Sequence, residues 1–236
     1  TAIAMEQSAD NGENGGDGET MAEAKPLPSL AIGTRNGVVK RWNREAPTTM
    51  DSWPVIDVKD GDEVVFAAVA EDDDRLVFVS SDSSLLTFDA KNVRPQGRTA
   101  GGMAGIKLAE GAHVMAFNVV PAGKVAWTYE EGENGLTSGA GAVVLTVAGD
   151  ENALPGTENG AAKVTPLEMY PTKGRATGGV RSQRFLKGQN TLILAWVGPD
   201  PLHASTSAGS PVELPKPDMR RDGSGVDLAS PIAFIA

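Results

Sequence analysis

The stretch "SLAIGTRNGVVKRW", residues 29–42, predicts a β-hairpin. Two arms rich in apolar and β-branched residues flank Asn36-Gly37, and Asn-Gly between such arms favours a two-residue type I′ turn. The rest of the chain has the same character, because its apolar residues come in short runs separated by Gly, Pro, Asp and Asn clusters. Helical periodicity is almost absent, so the sequence predicts an all-β protein.

The hairpin pattern recurs four times, and each time a strand that follows a turn ends the unit. The first two hairpin turns, Asn36-Gly37 and Asp82-Ser83, lie 46 residues apart. Four strands per unit at this period are typical of propeller-like folds. We therefore expect residues 29–236 to form about four four-stranded blades, in a ring that can be incomplete, with approximate blade ranges 29–70, 75–120, 142–198 and 199–236.

The first 28 residues differ from the repeats. "TAIAM", residues 1–5, resembles a unit-ending strand, and we expect it to be the last strand of a preceding blade in a longer protein. Residues 6–28 are acidic and of low complexity, which predicts a disordered insertion. The chain has no signal-peptide pattern at its start, no apolar run of about 18 residues and no Cys. These features favour a cytoplasmic protein without a membrane span.

Charge is segregated along the chain. The net charge is −10, with 31 Asp and Glu against 21 Lys and Arg. Residues 91–107 nevertheless carry four bases and no acid, and residues 163–187 carry six bases and one acid. The acids gather at residues 57–63, 71–74 and 130–133. An average charge that disfavours polyanionic partners therefore conceals two basic loops.

Both basic loops contain the pattern Gly-Arg-x-x-Gly-Gly, at residues 97–102 and 174–179, and residues 221–225 carry a weaker version. Adjacent glycines let a backbone approach a ligand closely, and an arginine adds a planar fork suited to phosphate oxygens. Repeated on successive blades, such loops would form a track of phosphate contacts. Taken singly, the same pattern also fits a glycine that turns a corner and an arginine that tops a strand.

These residues resemble the C-terminal domain found in the A subunits of bacterial type IIA topoisomerases, DNA gyrase and topoisomerase IV. "GTRNGVVKRW" (33–42) is similar to the first half of the family's repeat, and "QGRTAGGMAG" (96–105) and "KGRATGGVR" (173–181) are similar to its basic glycine box; unit one has no box. The resemblance implies a β-pinwheel, a propeller relative whose blades exchange strands and bind DNA around their outer rim. The residues that it implies as DNA contacts are Arg35, Lys40, Arg41, Arg94, Gln96, Arg98, Lys107, Lys173, Arg175, Arg181, Arg184, Lys187, Arg220 and Arg221.

The resemblance also implies a role. It is that of a non-catalytic domain that binds or wraps duplex DNA through the phosphate backbone and assists ATP-dependent strand passage, including supercoiling. The implied partners are duplex DNA and the rest of the topoisomerase, which comprises the remainder of the A subunit together with the ATPase B subunit that it binds. The implied location is the nucleoid-associated cytoplasm of a bacterium. The family's DNA-cleaving tyrosine lies in an upstream domain, so we assign that role to neither Tyr129 nor Tyr170, and this chain alone is not expected to be an enzyme.

No cofactor and no metal site are expected. His113 and His203 lack partners at ligand spacing, and the "DDD" run at 72–74 lacks the pattern of a calcium loop. An alternative from another functional class is a propeller-type protein–protein interaction module that uses its acidic loops. The two hypotheses differ in whether the bases of successive blades line one continuous rim.

Overall fold

The computed structural model describes residues 28–45, 47, 49–131, 137–154 and 158–236. The expectations for residues 1–5 and 6–28 therefore fall, apart from Pro28, outside the described residues. The strands in the described part are β1 (Ser29–Thr34), β2 (Val38–Trp42), β3 (Val64–Ala70), β4 (Arg75–Ser80), β5 (Ser84–Asp89), β6 (Pro95–Gln96), β7 (Met103–Ala104), β8 (Val114–Val120), β9 (Thr128–Glu131), β10 (Thr137–Gly149), β11 (Ala161–Pro166), β12 (Val180–Arg181), β13 (Thr191–Asp200), β14 (Ala204–Ser205), β15 (Pro211–Val212), β16 (Val226–Asp227) and β17 (Phe234–Ile235). Three short 3-10 turns lie at Ala90–Asn92, Ala122–Lys124 and Leu167–Met169.

Each of four sheets is built around one antiparallel hairpin: β1-β2, β4-β5, β10-β11 and β14-β15. A later strand of the same unit pairs with the first strand of the hairpin, namely β3 with β1, β8 with β4, β13 with β10 and β17 with β14. We call these sheets blades 1 to 4. The prediction of an all-β array of propeller-like blades is confirmed.

The second strand of each of the first three hairpins is paired by the unit that follows. Strands β6 and β7 pair with β2, β12 pairs with β5, and β16 pairs with β11. The segment between a hairpin and its unit-ending strand therefore completes the preceding blade, which is the strand exchange that the resemblance implied. We call the three exchanged segments the first strap (residues 94–107), the second strap (173–187) and the third strap (218–228).

Apolar side chains fill the spaces between adjacent blades, because alternate residues of a strand point to opposite faces. Ala31 and Val39 of blade 1 pack on Leu76 and Phe78 of blade 2. The ring of Phe78 lies at the centre of this cluster, with its centroid 6.2 Å from that of Phe88 and 4.7 Å from that of Phe117. Comparable clusters join blade 2 to blade 3 and blade 3 to blade 4.

The other face of blade 1 is covered by the blade's own connection between β2 and β3. Leu30, Ile32 and Trp42 on this face pack with Ile56 and with partly buried Trp53. Unit one has no glycine box, and its connecting segment here acts as an apolar cover. Both tryptophans are therefore packing residues of the blade.

No helix in the described part of the chain is long and apolar enough to cross a membrane.

Replacing Phe78 by Ala should lower the free energy of unfolding by about 3–5 kcal/mol, because the side chain is fully buried between two other rings. Chemical denaturation measures the change. Phe66→Ala is the matched control: Phe66 is 44% exposed, and its loss should change stability by less than about 1 kcal/mol. Equal effects of the two substitutions would contradict the assignment of the inter-blade core.

Candidate nucleic-acid interface

The straps lie flat on the outer edge of the preceding blade, and the second glycine of each box makes this possible. Gly102 has a φ of +85°, and a Cβ there would lie 2.8 Å from the carbonyl oxygen of Val39. Gly179 has a φ of +72°, and a Cβ there would lie 2.2 Å from the carbonyl oxygen of Leu85. Side chains other than hydrogen are excluded at both positions by backbone conformation and by space. These glycines thus approach the neighbouring blade, whereas the sequence suggested an approach to a ligand.

Lys40 fixes the first strap from inside the protein. Its side chain is fully buried, and Nζ donates hydrogen bonds to the carbonyl oxygens of Val55 (2.7 Å), Arg98 (2.9 Å) and Ala100 (2.7 Å). Three acceptors match the three N–H groups of an ammonium. Burial lowers the pKa of Lys40, and the charge of Asp57 offsets part of this effect.

Lys163 has the corresponding role in blade 3. It follows Asn159-Gly160 at the spacing at which Lys40 follows Asn36-Gly37. Its side chain is 2% exposed, and Nζ donates to Thr165 Oγ1 and to the carbonyl oxygen of Arg221, at 3.2 Å, in the third strap. Lys163 was not among the residues expected from the sequence, although the repeated Asn-Gly-x-x-Lys pattern could have identified it.

Arg41 is also buried, with 4% of its surface exposed. Its guanidinium donates to Ser29 Oγ at 2.6 Å, to the carbonyl oxygen of Ala90 at 3.0 Å and to Asp72 Oδ1 at 2.7 Å. It therefore ties blade 1 to the turn that follows β5. The expectation that Lys40 and Arg41 contact DNA needs correction, because their charged groups are inside the protein and bound to protein oxygens.

The straps are hydrogen-bonded to one another. The amide of Ala176 donates to the carbonyl oxygen of Gly105 at 2.6 Å, and the amide of Lys107 donates to that of Thr177 at 3.0 Å. The guanidinium of Arg175 donates to the carbonyl oxygen of Ala104. The second strap continues to the third, because the amide of Arg184 donates to the carbonyl oxygen of Gly223 at 2.9 Å. Three separate sequence segments thus form one continuous belt along the edges of blades 1 to 3.

Five of the predicted contact residues have exposed side chains on the belt, and none of them forms an ion pair within the described part of the chain; they are Arg94, Lys107, Arg181, Arg184 and Lys187. Lys173 is exposed on the same belt, and its Nζ donates to the carbonyl oxygen of Gly179 at 3.3 Å. Arg98 and Arg221 are half-buried. The belt therefore presents several positive charges that no neighbouring carboxylate neutralises.

The remaining predicted residues are placed differently. Arg35 lies at the hairpin turn of blade 1 and pairs with Glu63 at 3.5 Å. Arg220 is exposed and pairs with Asp218 at 3.2 Å. Gln96 pairs with Trp42 in the parallel β2-β6 ladder, and its Oε1 is buried. We therefore regard these three as less suited to bind phosphate than the unpaired bases of the belt.

The acidic loops lie at the two ends of blade 1. Asp62 is at the hairpin-turn end, where Oδ1 accepts a hydrogen bond from the amide of Asn36 at 2.8 Å. Asp72 and Asp73 are at the opposite end, where they pair with Arg41 at 2.7 Å and Lys91 at 3.1 Å. Negative charge at the ends and positive charge on the edge would direct a polyanion to the belt.

Gly179→Ala should lower the free energy of unfolding by about 2 kcal/mol or more, because the substitution combines a left-handed backbone with a clash against Leu85. Gly174→Ala is the matched control in the same strap, because a Cβ at Gly174 meets no atom within 4 Å. Thermal denaturation of both variants measures the difference. A stable Gly179→Ala variant would contradict the described fit of the strap on blade 2.

The pKa of Lys163 should be directly visible by NMR. Burial lowers it from the ordinary value of 10.5 to about 8, and the carboxylates of Asp218 and Asp222 oppose this effect. A titration that follows the Lys163 Cε resonance should give a midpoint near 8, whereas an exposed lysine should titrate near about 10.4.

The same shift predicts a pH dependence of stability. Between about pH 8 and pH 10.5 the unfolded chain binds a proton at Lys163 that the folded chain has released, so the free energy of unfolding rises with pH across this window. Lys163→Met should lack this contribution. A variant with the wild-type pH profile would show that Lys163 is not the group that titrates.

Three stretches of the chain match the family model described as DNA gyrase C-terminal domain, beta-propeller: residues 54–71, 74–121 and 156–193. The chain is 29% identical over 205 residues to the gyrase A protein of Mycobacterium tuberculosis, and 26% identical over 212 residues to that of Staphylococcus aureus. These matches cover 83% and 86% of this chain but 21% of each relative. The chain therefore spans about a fifth of the length of these gyrase proteins.

Solved structures share the fold at low sequence identity. The C-terminal domain of DNA topoisomerase IV superposes with a TM-score of 0.65 at 18% identity, covering 92% of this chain and 63% of that domain. The C-terminal domain of DNA gyrase A gives 0.60 at 18% identity, with 89% and 66% covered. The E. coli ParC C-terminal domain gives 0.63 at 14% identity, with 90% and 82% covered. Sequence and fold together confirm the resemblance, and the chain is a relative of the C-terminal β-propeller domains that the A subunits of type IIA topoisomerases carry.

Proposed function

We propose that this chain binds duplex DNA through its phosphate backbone along the belt formed by the three straps. The observation that carries the proposal is the direct hydrogen bonding between the straps, which joins their unpaired bases into one surface. The gyrase relatives support the same assignment. In this proposal the belt is the DNA-contacting part of a topoisomerase A subunit.

The physical basis is electrostatic. Arg94 and Lys107 of the first strap, and Arg181, Arg184 and Lys187 of the second, are exposed and unpaired within the described part of the chain. Each base that neutralises a phosphate releases a condensed counterion, which gives salt-sensitive and sequence-independent affinity. Because the straps run across three blades, a longer duplex would contact more bases than a short one.

We further propose that the domain is non-catalytic and that strand cleavage and ATP hydrolysis reside in other parts of the topoisomerase, including the B subunit, and the remainder of the A subunit. Tyr170 offers no nucleophile for DNA cleavage. It is buried between blades 2 and 3, its hydroxyl donates to the carbonyl oxygen of Ser182 at 3.4 Å, and burial raises its pKa. The domain would hold a duplex segment in a geometry that favours strand passage.

The proposal is tested by measuring binding to a duplex of about 40 base pairs and one of about 12 base pairs across a salt series. We expect tighter binding of the longer duplex and a steep decrease of log Kobs with log salt. Absence of binding at low salt would overturn the proposal. It would favour the alternative of a protein–protein interaction module that uses the acidic loops.

Charge reversal locates the contacts. Lys107→Glu and Arg184→Glu should each weaken binding and make the salt slope shallower by about 1, since each removes one phosphate contact. Lys124→Glu is the matched control: Lys124 is exposed, lies outside the straps and undergoes the same change of charge. A Lys124 variant that loses as much slope as the strap variants would show that net charge, and not the belt, determines binding.

A further inference from the structure

We propose that Lys40 is a positioning residue for DNA binding: it holds the first strap, and through it the second strap, in the arrangement that the duplex contacts, although it does not reach DNA itself. This inference rests on the proposed function of the belt. It assigns a role to a residue that the sequence pattern had placed among the direct contacts.

The hydrogen bonds of Lys40 go mainly to the first strap. Two of the three are accepted by the carbonyl oxygens of Arg98 and Ala100, on either side of Thr99 in the glycine box. The third is accepted by Val55 in the cover of blade 1. Within the described part of the chain, Lys40 forms no ion pair. The ammonium is therefore held by backbone carbonyl groups, and the strap in turn is held by the ammonium.

Blades 1 and 2 differ at the position of this lysine. In the hairpin registers, Lys40 lies opposite Ile32 and Leu86 lies opposite Phe78, at the equivalent position of blade 2. Blade 2 thus has no lysine at this position with which to hold the second strap.

The arginine loop of the second strap is attached to the first strap instead. Arg175 donates to the carbonyl oxygen of Ala104, and the amide of Ala176 donates to that of Gly105 at 2.6 Å. Release of the first strap would therefore remove the attachment of this loop. The remaining bonds of the second strap are made elsewhere, because β12 pairs with β5 on blade 2.

Lys163 provides an internal comparison. It holds the third strap through the carbonyl oxygen of Arg221, and the third strap contacts the second through the amide of Arg184. Loss of Lys163 should therefore loosen one strap, whereas loss of Lys40 should loosen two. The order of the two effects on DNA affinity follows from the attachments and not from the number of charges removed, because each substitution removes one buried charge.

The test compares Lys40→Met with Lys163→Met in the 236-residue chain. Hydrogen exchange on the free proteins should show at least about tenfold faster exchange at the amides of Lys107 and Ala176 in Lys40→Met, with the β10-β11 ladder of blade 3 unchanged. The same amides should keep wild-type protection in Lys163→Met.

DNA binding is then measured on both variants with the long duplex. Lys40→Met should lower affinity by about tenfold or more and make the salt slope shallower by about 2 or more, beyond the single contact that one surface lysine could contribute. Lys163→Met should have the smaller effect on both quantities. Unchanged exchange at Lys107 and Ala176 in a folded Lys40→Met variant would overturn the inference, as would a larger affinity loss in Lys163→Met.

Two controls keep the outcome decisive. If Lys40→Met does not fold, Arg175→Met removes a link between the two straps at the surface; faster exchange at Ala176 with weaker binding would support the coupling, and wild-type values would overturn it. If the wild-type chain does not bind DNA, the proposed function fails, and the exchange comparison still decides whether Lys40 positions the straps.

Discussion

The open edge of a β-hairpin is the constraint on which this structure depends. The outer strand of each hairpin has a row of N–H and C=O groups that need partners, and an unpaired edge invites aggregation. The first three blades meet this need with a segment from the following unit. The exchanged segment does not stop at pairing, because it must also turn across the blade edge within a few residues. Glycines at positions 102 and 179 allow this turn, since the backbone there lies against the neighbouring blade.

Two buried lysines are a consequence of the same exchange. A strap that turns on the blade edge leaves carbonyl groups that no strand can pair. Lys40 and Lys163 supply donors to those carbonyls from the strand beneath. Burying an ammonium is unfavourable, and the lowered pKa of both lysines expresses that cost. The hydrogen bonds to the strap backbone compensate for the lost hydration.

The placement of charge follows from this architecture. The basic residues occur in the segments that are exchanged, so they lie on the outer edges of the blades. The acidic residues occur in loops that connect strands at the blade ends, where Asp72 and Asp73 neutralise Arg41 and Lys91. An acidic chain can therefore carry a basic belt. The segregation that is visible along the sequence becomes a segregation between edge and ends in space.

The sequence by itself determined the all-β class, the hairpins, the four-fold repeat and the basic glycine boxes. These features depend on local patterns: Asn36-Gly37 requires a tight turn wherever it lies, and alternating apolar residues require a strand. The resemblance carried by the boxes also gave the family. Only the tertiary structure decided which charges are available. Lys40 and Arg41 look like surface bases in the sequence, because a period of two shows which residues share a face but not what covers that face. Here the strap and the connection after β2 cover it, so both charges are buried. The attachment of Arg175 to Ala104 likewise joins residues 71 positions apart. Such contacts depend on how the blades pack and exchange strands, and no local pattern specifies them.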